Sequence, residues 1–174
     1  HIEDLALNEI RGRLAAAVSR EFPTIIILTG FMGSGKSTIG KMLAAATDLP
    51  FVDLDQAIET GEKCTIPEIF SRSGEKAFRH VEQKYLQKQL RSTSSLILAS
   101  GGGTLLEPEA EKIVRSSSAL VIYLDTPLQE ILQRVGEGRG RPMIYQQGKE
   151  KLRRLYEQLV AGSIISYKMR NRKY

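Results

Sequence analysis

The sequence predicts an α/β fold of three layers, a central parallel sheet of about five strands flanked by helices. Strand-sized apolar runs carry that expectation: Ile25-Ile26-Ile27-Leu28, Leu96-Ile97-Leu98-Ala99 and Ala119-Leu120-Val121-Ile122-Tyr123-Leu124. Each is uninterrupted, as a strand buried on both faces requires, and between them lie longer segments with apolar residues at helical spacing. The first run also leads directly into Gly30-Phe31-Met32-Gly33-Ser34-Gly35-Lys36-Ser37-Thr38, after which Ile39, Met42 and Leu43 continue at helical intervals.

That glycine-rich stretch has the form of a P-loop. Backbone N–H groups from Gly30 to Lys36 can wrap a phosphate only where the chain bends tightly, which Gly33 and Gly35 permit. The helix expected over residues 36–46 adds its positive N-terminal end. Lys36 supplies a mobile cation for the outer phosphates, and the Ser37 hydroxyl suits a magnesium ion that bridges two of them. A nucleoside triphosphate fits these features, with Ser34 and Thr38 completing the loop. A glycine-rich turn before an ordinary helix is the competing explanation, and the apolar run in front of the motif weighs against it.

The chain has 174 residues, enough for one domain with a real core. A net charge of +5 suits a protein that holds polyphosphate and does not call for nucleic acid. No apolar window reaches the roughly eighteen residues that a membrane span needs. Cys64 is the sole cysteine, so no internal disulfide can form, and a cytoplasmic monomer is the expectation. The chain opens on His1 rather than Met, the expected mark of either a remnant of added residues or an excerpt. Residues 1–22 are expected to form an amphipathic helical extension, with Ile2, Leu5, Ile10, Leu14, Ala17 and Val18 mostly on one stripe. Residues 23–174 form the P-loop domain, with a helical cap at about 56–90 and a mobile lid at about 136–148.

Phe51-Val52 reads as a short second strand that delivers Asp53 and Asp55 at its carboxyl end, where an open parallel sheet binds its ligands. Alternation at period two points both acids the same way. One suits a water on magnesium and the other a substrate hydroxyl; capping the next helix is the plainer role. Between residues 56 and 90, Ile58, Ile66, Ile69, Phe70, Phe78, Val81, Tyr85, Leu86 and Leu90 predict two or three helices, broken at Gly61, Pro67 and Ser73-Gly74. Arg79 and His80 within them read as surface residues. After the third strand, Gly101-Gly102-Gly103 makes either a wide turn or a surface where a small polar ligand meets main-chain N–H groups.

Residues 108–115 read as a helix and 119–124 as a fourth, buried strand. Asp125-Thr126-Pro127 opens a helix with Leu128, Ile131, Leu132 and Val135 on one face and Arg134 near its end. The loop from Gly136 to Pro142, with three glycines and two arginines, suits a lid that brings Arg141 to the transferred group, or else a solvated loop. Residues 149–158 are helical again, 163–167 read as a fifth strand, and a basic tail follows.

Five of these patterns in this order, the P-loop, Asp53-Leu54-Asp55, Phe78-Arg79 with Glu82, Gly101-Gly102-Gly103 and Arg141-Pro142, closely resemble shikimate kinase over residues 24–158. The resemblance implies the P-loop kinase fold of nucleoside-monophosphate kinases and ATP-dependent phosphorylation of the 3-hydroxyl of shikimate. It implies ATP and Mg2+ at Gly33, Ser34, Gly35, Lys36, Ser37 and Thr38, with Asp53 on the metal through water. It also implies that Asp55 holds the substrate hydroxyls as candidate base, that Arg79 pairs with the carboxylate and is oriented by Glu82, and that Gly101, Gly102 and Gly103 line the substrate. Arg141 would join Lys36 and Asp55 in catalysis, and Arg134 would lie near the nucleotide base. The pattern departs near the C-terminus, where the family has an Arg followed by Pro and Tyr and the register here gives Leu159-Val160-Ala161-Gly162. A sensor domain without turnover and a kinase for another hydroxy acid, such as gluconate, are the alternative readings.

Overall fold

The strand β1 (Ile25–Thr29) runs through the middle of the sheet, with β3 (Leu96–Ala99) on one side and β4 (Leu120–Tyr123) on the other. β2 (Phe51–Asp53) lies beyond β3, giving the order β2-β3-β1-β4 with every neighbouring pair parallel. This is a computed structural model, and it describes residues 24–92, 94–136, 153–154 and 156–157, without the side chains of 134–136. The expected N-terminal helix, the lid with Arg141, the Arg134 side chain, Leu159 and the strand over 163–167 lie outside the described residues. The described sheet therefore has four strands.

Alternation along β1 divides the core. Ile25 and Ile27 face a cluster with Leu54, Ile58, Ile69, Phe78, Leu86, Leu96, Leu98, Ala110 and Val114, while Ile26 and Leu28 face Leu43 and Ile97. The first cluster packs helices α2 (Leu54–Glu62), α3 (Ile66–Leu90) and α4 (Pro108–Arg115) on one face, and the second packs α1 (Lys36–Thr47) on the other. Each fully buried Leu or Ile of the strands contributes about 1.5–3 kcal/mol. Helix α5 (Leu128–Gly136) closes a third cluster, in which Phe31 and Ile131 are buried beside Tyr123 and Tyr156.

Several local expectations change in the fold. The expected burial of β4 is only partial: Leu120 is exposed and residues 121–123 are half-buried, because β4 is an edge strand among the described residues. Gly61 lies inside α2 rather than breaking it, since the Tyr85 ring packs where a β-carbon would stand. α2 stops instead at Lys63, in the left-handed region at φ 56°. A capping box then starts α3: Thr65 N donates to Glu68 Oε2 at 2.7 Å, Glu68 N donates to Thr65 Oγ1 at 3.4 Å, and Pro67 fits the first turn. The Thr65 N–H and then the Thr65 hydroxyl hold the Glu68 carboxyl below its ordinary pKa. α3 kinks at Gly74, whose φ of 77° and ψ of 175° are not helical. No helix of the described residues is long and apolar enough to cross a membrane.

Helix α1 lies so close to β2 that a β-carbon on Gly40 would strike the Phe51 ring. Gly40→Ala gains about 1 kcal/mol of helix propensity but overpacks this contact, so it is expected to destabilise the fold by about 1–3 kcal/mol. A lowered midpoint in urea denaturation checks this.

Candidate active site

At the carboxyl end of β1 the chain enters the P-loop, where Gly33 and Gly35 take φ of 81° and 95°, a region that a residue with a β-carbon rarely adopts. Gly35 is the N-cap of α1, no side chain caps that helix, and no acid lies in its first turn. The N-terminus therefore presents its dipole and main-chain donors towards an anion. Lys36 Nζ curls back over the loop and donates to Gly30 O at 2.9 Å and Phe31 O at 3.0 Å. The loop is braced from behind: Thr126 Oγ1 donates to Ser34 O at 3.2 Å, and the Tyr156 ring stands edge-on to Phe31 at 5.5 Å. Tyr156 also donates its hydroxyl to Thr126 O, and burial, then the charge of Asp125, raises its phenol pKa.

Asp53 uses its two carboxylate oxygens separately. Its Oδ1 accepts from Asp55 N at 3.1 Å and Gln56 N at 3.4 Å, capping α2, while its Oδ2 accepts from Ser37 Oγ at 2.7 Å. A hydroxyl and a carboxylate at hydrogen-bond distance form the hard oxygen donor set that magnesium takes when phosphate oxygens and water fill its remaining positions. Among the described residues there is no group of three or more His, Cys, Asp or Glu able to hold a metal by itself. The expectation that Asp53 and Asp55 project together from one strand fails, because α2 begins at Leu54 and Asp55 belongs to its first turn. Asp55 turns instead towards the three-glycine turn.

That turn is where the charged groups converge. A β-carbon on Gly101 would lie 2.8 Å from Thr104 Oγ1, 2.9 Å from Glu82 Oε1 and 3.0 Å from Asp55 Oδ1. On Gly102 it would lie 3.1 Å from Met32 N of the P-loop, and on Gly103 it would lie 3.5 Å from Arg79 Nη2. None of these glycines has a positive φ; close approach accounts for Gly101 and Gly102, while a β-carbon on Gly103 would make only ordinary contact.

Arg79 is mostly buried on α3, against its expected place at the surface, whereas His80 is exposed as expected. Its Nη1 donates to Glu82 Oε2 at 2.8 Å, and Thr104 Oγ1 donates to Glu82 Oε1 at 2.6 Å. Glu82 and Thr104 are both fully buried, so each carboxylate oxygen has a short bond from a fixed donor. Glu75 lies 3.4 Å from Arg79 Nη2, and Glu107 lies 3.4 Å from Nε. Burial lowers the Arg79 pKa, but the bond to Glu82 and the charges of Glu82, Glu107 and Glu75 outweigh it and raise the net value. Sequence reasoning missed Thr104, although its place directly after the glycines was a signal. It also missed Glu107, for which the sequence holds none.

The shikimate kinase family model matches residues 32–166. A curated shikimate kinase of Thioalkalivibrio sulfidiphilus is 43% identical over 119 residues, covering 68% of this chain and 62% of that protein. A bifunctional shikimate kinase/3-dehydroquinate synthase of Thermotoga maritima is 37% identical over 132 residues, 76% of this chain and 26% of that protein. Among solved structures, shikimate kinase from Acinetobacter baumannii in complex with shikimate superposes with a TM-score of 0.72 at 32% identity, covering 85% of this chain and 80% of that one. This chain thus spans 62% and 26% of the length of those two curated relatives.

Thr104→Val removes one of the two donors of the buried Glu82 while keeping its shape. The expected loss is about 1–3 kcal/mol of stability, measured by chemical denaturation.

Proposed function

The chain belongs to the shikimate kinase family, and we propose that it transfers the γ-phosphoryl group of ATP to the 3-hydroxyl of shikimate. One observation carries this reading: the turn at Gly101-Gly102-Gly103 abuts the P-loop at Met32, the Asp55 carboxylate and the Arg79 guanidinium. A phosphate cradle, a candidate base and a cation for a carboxylate thus border one small region, as transfer to an anionic polyol requires.

In this reading Lys36 exchanges its bonds to the Gly30 and Phe31 carbonyls for the outer phosphates of ATP, joined by main-chain donors at Gly33, Ser34, Gly35 and Thr38. Ser37 and Asp53, the latter through water, would hold Mg2+, which would supply positive charge against the phosphate oxygens. Asp55 orients the substrate hydroxyl and takes its proton as the oxygen attacks phosphorus and the bond to the leaving ADP oxygen breaks. Arg79 presents a planar fork to the substrate carboxylate, and Glu82 holds that fork in place. Gly102 and Gly103 offer main-chain donors. Arg141 from the lid stabilises the transferred group, and Arg134 borders the nucleotide base.

Leu159, where the resembling pattern has an arginine, favours one other reading, a domain that binds shikimate and nucleotide without turnover. ADP release from ATP, followed in a coupled assay with shikimate as acceptor, separates the two: saturable binding with no ADP formed would discard the kinase reading. Lys36→Ala is expected to lower kcat about a hundredfold to a thousandfold, and Asp55→Asn about a hundredfold or more, each with an unchanged circular dichroism spectrum. Arg79→Lys is expected to raise KM for shikimate about tenfold, since an ammonium cannot form the bidentate fork, while KM for ATP stays near its original value.

A further inference from the structure

A guanidinium offers a carboxylate a side-on fork through Nε and Nη2 as well as contacts through its two terminal nitrogens. In Arg79 the Nη1 end is taken by Glu82 at 2.8 Å. The side fork is held at Nη2 alone, which donates to Glu75 Oε1 at 3.4 Å. Nε–H is buried and makes no hydrogen bond among the described residues, although the Glu107 carboxylate lies 3.4 Å away, close enough for an ion pair but out of line for a hydrogen bond. A buried donor in that state gains from an acceptor that meets it squarely.

Glu107 reaches Arg79 from a separate element. It occupies the N-cap of α4, where a side chain ordinarily accepts from the first turn, yet it makes no capping bond. Its carboxylate turns towards the guanidinium instead. Glu75, the other acid on this fork, lies 3.4 Å from Nη2 on the same helix as Arg79 and is 68% exposed, so solvent screens it more than Glu107 at 37%. With Glu82 included, three carboxylates surround one cation.

We propose that Glu107 is a specificity-determining residue, whose carboxylate competes with that of the acid substrate for the Nε–Nη2 fork of Arg79 and so weakens binding of the acid. The inference rests on the reading of Arg79 as the carboxylate clamp. An incoming carboxylate displaces Glu107 and also meets its repulsion, whereas a neutral analogue of the same shape displaces it without meeting that repulsion. Glu107 thereby narrows the preference of the site for an acid over its amide.

The test is direct calorimetric binding of shikimate and of its carboxamide to wild type, Glu107→Gln, Glu107→Ser and Arg79→Gln. Glu107→Ser restores a helix-capping hydroxyl at that position, so tightening in both Glu107 variants cannot come from a loosened helix. Both are expected to bind shikimate about two- to five-fold more tightly at low salt, the range of a partly exposed ion pair. The carboxamide should tighten less than the acid, and the gap for the acid should narrow at high salt. Equal or weaker shikimate binding in the Glu107 variants, while Arg79→Gln loses it, overturns this inference and leaves the clamp standing. Equal tightening of the carboxamide also overturns it. Shikimate binding undiminished in Arg79→Gln, or absent from wild type, overturns the clamp and the inference together.

Discussion

Close approach at Gly101 sets the spacing of the charged groups in this site, because Asp55, Glu82 and Thr104 each come within 3.0 Å of where a β-carbon would stand. Three elements meet there: the first turn of α2, the middle of α3 and the turn leaving β3. A side chain on Gly101 would force Asp55, Glu82 and Thr104 apart, and one on Gly102 would press on the P-loop at Met32. The parallel sheet makes the meeting possible, since β1, β2 and β3 all point their carboxyl ends to one edge of the molecule.

Burial of Glu82 is the electrostatic counterpart of that packing. A carboxylate in the core is expensive unless its oxygens are satisfied, and here Thr104 takes one and Arg79 the other. The pairing fixes Arg79 at Nη1 and leaves the opposite side of the guanidinium facing the glycine turn and the outer acids. Glu82 therefore acts on geometry as much as on charge, since it decides which edge of Arg79 remains for the proposed substrate contact.

Asp53 shows how one side chain can join two tasks. Its two oxygens point in different directions, one into the start of α2 and one at Ser37, so the helix cap and the proposed metal position are held by the same carboxylate. The cap also turns the chain out of the strand one residue before Asp55. That redirection takes Asp55 off the pleat and towards Gly101, and it links the proposed metal position mechanically to the proposed base. Behind the loop, Tyr156 and Thr126 tie the segment around residue 156 to the P-loop through Phe31 and Ser34.

By itself the sequence determined the β-α order, the P-loop with Lys36 and Ser37, and the positions of the three long apolar strands, because each depends on residues close together in the chain. It also placed Asp53 and the glycine turn at strand ends, where local pattern and the rule for parallel sheets suffice. The burial of Arg79, the satisfaction of Glu82 by Thr104 and the approach of Glu107 were settled only by tertiary structure. Those contacts join residues on different elements, and Thr104 meets Glu82 across 22 positions of chain. No periodicity records such a distance. The same holds for Gly61 and Gly40, whose small size is explained by the aromatic rings of Tyr85 and Phe51 that the folded chain lays across them.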